Sequence, residues 1–306
     1  MKDLIQTGKK RKAVSLVLHG VHGIGKTTFG TKTPHPIFIS GEENEEIESA
    51  RFPKCKSWKE FLGYLTWVRD EQHDYKTLVI DTLDSIENLL WKHTLGEDRA
   101  EDMASARGGF GKGYTFATQL FTDMRDDFLV PIREKGINIV LLCHSAKNKI
   151  EDPLTLATYD KQELKLHRNG KGMGTYTVIS EWVTIVLFAN FVVHTVKDKN
   201  TTKEYAVGEG ERRMFSAPRP AYDAKNRYGL PHALPLEWKV IEEGIDRYYS
   251  MSTEDQLEIM RKEIIAMAMQ IKDEALRKST LTNIESVGTD KVRLEKAREY
   301  IQGVLK

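Results

Sequence analysis

The sequence has few cysteines and no long apolar segment. Cys55 and Cys143 are its two cysteines and lie far apart in unrelated contexts, which argues against a disulfide framework or a zinc site and fits a reducing cytosol. The longest apolar stretch, VTIVLFANFVV, is shorter than the roughly 20 residues that a membrane-spanning helix needs. The opening residues, MKDLIQTGKKRKAV, lack the apolar core of a signal peptide. We therefore expect a cytoplasmic protein that does not bind a membrane.

The sequence also lacks an excess of either charge. Its net charge is +1, with 30% charged and 40% hydrophobic residues among 306, and such fractions are typical of soluble globular proteins. A nearly neutral chain has no overall field that attracts a polyanion. Any nucleic-acid binding must therefore depend on a local basic patch.

Five apolar segments alternate with stretches that predict helices. Continuous apolar runs rich in β-branched residues suit strands buried on both faces of a sheet. Strands that alternate with helices imply a parallel sheet with right-handed crossovers. The predicted strands are 13–19, 36–40, 76–81, 137–144 and 182–188, and the predicted helices are 26–32, 57–71, 82–95 and 114–134. The sequence therefore predicts an α/β fold with a mainly parallel central sheet flanked by helices.

The pattern changes after residue 190. FVVHTVKDKNTTKEYAVG predicts a hairpin, a coil containing Pro, Gly and Arg follows, and the rest predicts helices with a Ser/Thr start and early acidic residues. We predict a basic N-terminal segment (1–12), a core domain (13–235) and a C-terminal helical region (236–306). An apolar stripe at helical spacing in that region predicts packing against the core or a neighbouring subunit; it comprises Leu257, Met260, Ile264, Met267 and Ile271.

The stretch GVHGIGKT, from Gly20 to Thr27, matches the phosphate-binding pattern GxxxxGK[ST]. An apolar strand precedes it and a short helix follows, which is the context that this loop requires. Its glycines let backbone N–H groups surround phosphate oxygens, Lys26 supplies a positive charge, and the Thr27 hydroxyl can ligate Mg²⁺. We therefore predict ATP and Mg²⁺ as ligands, with nucleotide contacts from Gly20, Val21, His22, Gly23, Ile24, Gly25, Lys26, Thr27 and Thr28.

Three polar side chains follow predicted strands and are candidates for the chemistry. Asp81 ends TLVID and could support the Mg²⁺ opposite Thr27, or cap the helix that follows. Glu42, in FISGEENEE, lies where open parallel sheets bind ligands and could orient an attacking water, or serve as a helix N-terminal acid. His144 ends IVLLCH and could touch the γ-phosphate, or be a hydrogen-bonded edge histidine. We predict Lys26, Glu42 and His144 as the catalytic residues and Thr27 with Asp81 as the metal site.

The order of these parts resembles the RecA-type ATPase core, and in particular the phage-encoded nucleotide-binding AAA family. Besides the phosphate-binding loop, three stretches carry the resemblance: VIDTLDSIENLLW (79–91), GGFGKGY (108–114) and APRPAYDAKNRYGLP (217–231). It covers roughly residues 13–235 and assigns the role of the RecA glutamate to Glu42, since FISG stands here where RecA has FIDA. His144 departs from the RecA glutamine sensor, as in members of the phage family.

The resemblance implies an ATPase of phage DNA recombination, repair or replication, acting as a homo-oligomer on single-stranded DNA in the host cytoplasm. RecA-type enzymes complete their ATP site with a cation from the neighbouring subunit. The candidates are Lys225 and Arg227, or Arg212 and Arg213. The alternative is that Lys225 and Arg227 are surface charges beside a turn. A single-strand-binding protein is a further candidate partner, through the C-terminal region.

A long polar connection, residues 145–181, separates the last two predicted strands. Loops of this length are usually functional or disordered, and in RecA-like proteins the loops after the sensor strand line the DNA channel. Charge and aromatic stacking there favour single-strand binding without sequence preference. The candidate phosphate contacts are Lys147, Lys149, Lys165, Arg168 and Lys171, although four acidic residues dilute their charge. Phe110 and Tyr114 in GGFGKGY could stack on bases or simply pack.

Two other functions compete with a DNA-dependent ATPase. A nucleotide-gated switch, similar to a helicase loader, would use ATP to control docking of a protein partner. A nucleotide kinase would need paired arginines in a compact lid, for which ERRMF is a candidate. The long connection and the RecA-like position of Glu42 argue against the kinase.

Overall fold

The structure is a computed structural model that describes residues 9–43, 45–151, 156–168, 174–192, 194–197, 204–207 and 210–304. Residues 10–242 form one compact unit, and the chain from Glu243 belongs to a second. The predicted domain boundary, between residues 235 and 236, lies just before the helix that spans this division. Of the helices described, none combines the length and the apolar character that crossing a bilayer requires.

Most of the predicted strands and helices are present with similar bounds, but β5 extends well past the predicted end at residue 144. The strands are Ser15–Gly20 (β1), Pro36–Ser40 (β2), Ala50–Arg51 (β3), Thr77–Asp81 (β4), Asn138–Glu151 (β5), Thr158–Leu164 (β6), Ile185–Phe191 (β7), His194–Lys197 (β8), Glu204–Val207 (β9), Arg212–Phe215 (β10), Lys225–Asn226 (β11) and Ala233–Pro235 (β12). The helices are Lys26–Thr31 (α1), Trp58–Asp70 (α2), Leu83–Asp98 (α3), Lys112–Met124 (α4), Val130–Glu134 (α5), Thr175–Trp182 (α6), Trp238–Ser250 (α7), Thr253–Ala268 (α8), Glu274–Val287 (α9) and Lys291–Val304 (α10). A π-helical turn joins α4 to α5, so the predicted helix 114–134 is one interrupted segment.

The central sheet confirms the predicted fold class. Its main path runs β12-β10-β7-β1-β5-β4-β2-β3. The strands from β7 to β3 along this path pair in parallel, while β10, β11 and β12 add antiparallel pairs at one side. Side chains of β1 such as Leu16, Val17 and Leu18 are fully buried, because helices cover both faces of a parallel sheet. This burial explains why the strands read as continuous apolar runs.

The described residues of the connection 145–181 lie mostly in strands and a helix, so the prediction of a long loop is wrong for them. β5 continues past the sheet to Glu151 and pairs antiparallel with β6, from Ser145 opposite Leu164 to Glu151 opposite Thr158. α6 then leads into β7. Charged residues are frequent in both strands of this β5–β6 hairpin. Strands of such polar composition are difficult to distinguish from a polar loop in the sequence. The predicted hairpin after residue 190 is present as β8 and β9.

The helices from α8 to α10 share a small apolar core of their own. It consists of Ile264, Ala268, Ile271, Ile284, Leu294 and Ile301. Ser252 and Asp255 form a reciprocal capping box at the start of α8, which satisfies two backbone N–H groups. The predicted apolar stripe of α8 therefore packs within this helical unit: Ile264 and Ile271 are buried, and Leu257, Met260 and Met267 pack against them.

Candidate nucleotide-binding site

The predicted phosphate-binding loop lies between the end of β1 and the start of α1. Gly25 has φ of 103°, a left-handed backbone that favours glycine. The ammonium group of Lys26 donates to the carbonyl oxygens of Gly20 (3.1 Å) and Val21 (3.0 Å). Burial lowers the pKa of Lys26, against the opposing effect of the Asp81 carboxylate. The loop therefore holds its lysine in a defined position within the cradle.

Thr27 and Asp81 meet across the base of the site. The Thr27 hydroxyl donates to Asp81 Oδ2 at 2.7 Å, and Thr82, not Asp81, is the N-cap residue of α3. Burial raises the pKa of Asp81; the hydrogen bond from Thr27 opposes this rise and the charge of Glu42 adds to it. A hydroxyl and a carboxylate oxygen at this separation are hard ligands of the kind that Mg²⁺ prefers. These two residues therefore fit the predicted metal site.

Glu42 follows β2 at the same edge of the sheet. The Thr82 hydroxyl donates to Glu42 Oε1 at 3.0 Å. The Ser40 hydroxyl accepts from the Glu42 backbone N–H at 3.0 Å, which fixes the turn. The two contacts place the exposed carboxylate of Glu42 over the site, next to Asp81.

His144 and Asp84 form a buried pair beside the phosphate-binding loop. His144 donates to Asp84 from its backbone N–H (3.0 Å to Oδ1) and from its ring (Nδ1 to Oδ2, 2.9 Å). Its ring also stacks on His22 with centroids 3.8 Å apart. Burial alone would raise the pKa of Asp84, but the hydrogen bonds and charge of His144 outweigh it and lower the pKa to about 2. The carboxylate is therefore ionised at neutral pH.

Asp84 was not predicted as a site residue, because DTLDSIENLL is typical of an ordinary helix start with an acidic residue in its first turn. Its proximity to His144 follows from the pairing of β4 with β5, which brings the start of α3 beside the end of the buried part of β5. Glu42, Asp84 and His144 each offer one ligand atom, all within 4.8 Å of one another. Because both Asp84 oxygens already accept from His144, we assign Asp84 to orienting the imidazole.

The phosphate-binding loop, Asp81, Glu42 and His144, but not Asp84, line a cavity of about 700 Å³, a size that suits a small-molecule site. Arg212, on β10, also lines it. Antiparallel pairing of β10 with β7 brings Arg212 to the cavity of its own chain, and its predicted action on a neighbouring subunit stays a prediction. The described lining comprises His22, Gly23, Gly25, Lys26, Thr27, Thr28, Ser40, Glu42, Glu43, Glu45, Glu46, Ile47, Asp81, Thr82, His144 and Arg212.

Lys225 and Arg227, the other cations predicted to act in a neighbour, do not line this cavity. Lys225 lies on β11, paired with Val186 near the amino end of β7. Its ammonium group donates to the carbonyl oxygens of Ser180 (2.8 Å) and Glu181 (2.9 Å). The structure thus separates Lys225 from the phosphate-binding loop of its own chain.

The predicted DNA contacts lie on or after the β5–β6 hairpin, and most have acidic neighbours. Lys147 pairs with Asp160 at 2.6 Å, and Arg168 with Glu163 at 3.0 Å. Lys165 lies 3.8 Å from Asp84, and Lys149 is exposed on β5. Lys171 lies outside the described residues. The hairpin therefore offers alternating charges more than a uniform basic patch.

Phe110 and Tyr114 have different surroundings. Phe110 is 100% exposed and has φ of 55°, which is uncommon for a bulky residue. Tyr114 stacks on His167 with centroids 4.4 Å apart, and His167 directly precedes Arg168. The GGFGKGY loop and the chain after the β5–β6 hairpin are therefore neighbours.

Residues 12–228 match a family model described as an AAA domain, and no curated protein matches the chain. The matched span covers most of the chain and contains the whole described lining of the cavity. The matched span also contains the phosphate-binding loop, the Thr27–Asp81 pair and Glu42. The chain belongs to the AAA-domain family of nucleotide-binding ATPases.

Proposed function

We propose that this protein hydrolyses ATP in a Mg²⁺-dependent reaction and acts on single-stranded DNA as a RecA-like oligomer, in phage DNA recombination, repair or replication. One observation carries the proposal: β5 brings His144 to the nucleotide cavity and continues without a break into the β5–β6 hairpin. His144 and the predicted DNA contacts Lys147 and Lys149 thus lie on one strand.

The phosphate-binding loop and Lys26 would hold the triphosphate. Thr27 and Asp81 would hold Mg²⁺, which supplies charge neutralisation at the phosphates when bound. Thr82 positions the Glu42 carboxylate, which would orient the attacking water. Asp84 fixes the ring of His144 and leaves Nε2 for the γ-phosphate. Each group acts by positioning and charge, which dominate catalysis of phosphoryl transfer.

Single-stranded DNA fits the surface formed by the GGFGKGY loop and the chain after the β5–β6 hairpin. Phe110 offers a fully exposed ring on which a base can stack, a contact worth about 1–3 kcal/mol per base. Lys165 and Arg168 lie within two residues of His167, whose ring stacks on Tyr114 of the same GGFGKGY stretch. Neither segment reads base edges, so binding should tolerate any sequence.

A homo-oligomer would complete the site from the opposite end of the sheet. Lys225 lies near the amino end of β7, whereas the cavity lies at the carboxyl ends of β1, β4 and β5. Head-to-tail stacking of two copies would bring Lys225 and Arg227 of one copy towards the cavity of the next. Added positive charge near the transferring phosphate raises rates by orders of magnitude.

The first test is ATP hydrolysis with and without single-stranded DNA, with Lys26→Ala as the blank. We expect stimulation of about tenfold or more that falls with rising salt, because phosphate contacts release counterions. Equal rates with and without DNA would contradict the DNA-dependent function. That result, with intact ATP binding and a stable protein complex, would favour the nucleotide-gated switch, and phosphate transfer to a nucleotide would favour the kinase.

Phe110→Ala tests the DNA surface separately. We expect stimulation by DNA to fall several-fold while hydrolysis without DNA stays unchanged, because Phe110 lies outside the cavity. Tyr300→Ala is the matched control, since Tyr300 is an exposed aromatic residue on α10. A Phe110→Ala protein with unaltered stimulation would remove this loop from the proposed surface.

A further inference from the structure

We propose that Arg212 binds the diphosphate part of the nucleotide within its own chain. The inference rests on nucleotide binding in this cavity, as the proposed function does, but not on hydrolysis or DNA. No other arginine among the described residues lines the cavity.

Arg212 reaches the phosphate-binding loop because Gly25 has no side chain. A Cβ atom built on Gly25 would lie 3.1 Å from the guanidinium nitrogen of Arg212 and 3.4 Å from Leu236. Arg212 enters from β10, opposite Phe191 of β7, and its guanidinium lies 5.8 Å from the centroid of the Phe191 ring. Glycine at position 25 thus serves two needs: the left-handed backbone and the close approach of an arginine.

The charges around the cavity indicate a role for Arg212. Lys26 and Arg212 are the Lys and Arg side chains in the described lining, against the carboxylates of Glu42, Glu43, Glu45, Glu46 and Asp81. These carboxylates would repel a polyphosphate that enters the cavity, so binding requires positive charge that offsets the repulsion. Arg212 provides this charge beside Gly25 of the phosphate-binding loop.

Arg212 keeps its donors available. Within the described part of the chain no carboxylate pairs with it, whereas its neighbour Arg213 pairs with Glu211 at 2.6 Å. The planar guanidinium of arginine matches the oxygens of phosphate in a bidentate manner. Arg212 is therefore suited to phosphate, and Arg213 supplies a control of equal charge on the same strand.

The position of Gly25 indicates which phosphates Arg212 contacts. In loops of this pattern the backbone N–H groups surround the α- and β-phosphates, while the lysine reaches the β- and γ-phosphates. Arg212 adjoins the backbone of this loop, and Glu42, Asp84 and His144 cluster around the region where Lys26 and Asp81 converge. Arg212 thus serves the part of the ligand that ATP and ADP share.

The experiment is a titration with fluorescent analogues of ATP and ADP. Arg212→Ala should raise Kd for both nucleotides by a similar factor of about tenfold or more, as expected for loss of a charged hydrogen bond. Arg212→Lys should recover part of the affinity, and Arg213→Ala should bind as the wild type does. An unchanged Kd in Arg212→Ala, or a loss confined to ATP, would overturn the assignment. An unchanged melting temperature without nucleotide shows that the variant is folded.

A mixing experiment separates action within the chain from action on a neighbour. Arg212→Ala and Lys26→Ala are combined in equal amounts, and binding of the ADP analogue is compared with that of each variant alone. If Arg212 acts within its own chain, the mixture binds as the average of the two. Recovery of high-affinity sites would show that Arg212 completes a neighbouring site. Because the readout is binding, absence of DNA-stimulated hydrolysis would refute the proposed function and leave this result intact.

Discussion

Asp84 controls the orientation of the His144 imidazole, which lines the cavity. Its two oxygens accept one bond each from the backbone and the ring of His144, so the ring can neither rotate nor exchange its nitrogens. Stacking on His22 closes one face of the ring. A histidine held in this way keeps a fixed tautomer, the property on which its function depends.

We expect Asp84→Asn to lower kcat roughly 10- to 100-fold, by analogy with groups that orient metal-binding histidines. KM for ATP should change much less, because the phosphate-binding loop is intact. Since the pKa of Asp84 is about 2, the ratio of wild-type to variant rates should stay constant from about pH 5 to pH 8. Steady-state kinetics over that range, with Asp74→Asn as an exposed control, tests this; equal loss in both variants would contradict it.

Two glycines in helices show how packing decides the effect of a single methyl group. Gly113 lies in the first turn of α4, where an added Cβ would collide with the carbonyl oxygen of Met103 and lie 2.8 Å from the Ala106 Cβ. Gly63 lies on the exposed face of α2, where an added Cβ meets nothing within 4 Å. Helix propensity favours alanine at both positions by up to about 1 kcal/mol.

The same substitution should therefore have opposite effects on stability. We expect Gly113→Ala to lower the free energy of unfolding by about 1–3 kcal/mol through overpacking, and Gly63→Ala to raise it by roughly 0.5–1 kcal/mol. Urea denaturation of both variants beside the wild type measures the difference. A Gly113→Ala protein as stable as Gly63→Ala would contradict the close packing of α4 on the preceding turn.

At the scale of the whole molecule, His19 ties three distant segments together. It is fully buried at the end of β1. Its Nε2 lies 3.0 Å from the carbonyl oxygen of Asp223, and its Nδ1 lies 2.8 Å from the Ser145 hydroxyl. Because a carbonyl oxygen can only accept, Nε2 carries the proton and Nδ1 accepts from Ser145. The neutral ring thus joins β1, the base of the β5–β6 hairpin and the chain around Asp223.

This histidine should make folding sensitive to mild acid. Burial lowers the pKa of His19 from 6.5 to about 4. Between these values the unfolded chain binds a proton that the folded chain does not, so stability falls as the pH falls through this window, by roughly 3 kcal/mol in all. We expect denaturant unfolding to show this loss below pH 6.5 and His19→Gln, which keeps a donor and an acceptor, to reduce it. A parallel pH profile in His19→Gln would refute the role of His19.

Features that depend on a local sequence pattern were predicted from the sequence, whereas features that depend on the pairing of distant strands were not. The strands of the sheet and the phosphate-binding loop are contiguous runs whose spacing alone indicates their structure. Asp84 meets His144, and Arg212 reaches the cavity, only through the register of β4 with β5 and of β10 with β7, which no single stretch contains. The β5–β6 hairpin was missed for a different reason: four of its seven cross-strand pairs, such as Lys147 with Gln162, are polar on both strands, and the strands lack the apolar alternation of a half-buried hairpin.

Because β5 runs from the cavity into the β5–β6 hairpin, the number of paired residues determines how far the hairpin extends from the cavity. The pairs from Ser145–Leu164 to Glu151–Thr158 form a ladder that starts directly after His144. Each residue added to both strands lengthens such a ladder by about 3.4 Å, and additions in twos keep every side chain on its original face. Paired insertions or deletions at the outer end of the hairpin therefore change its length while the cavity stays as it is.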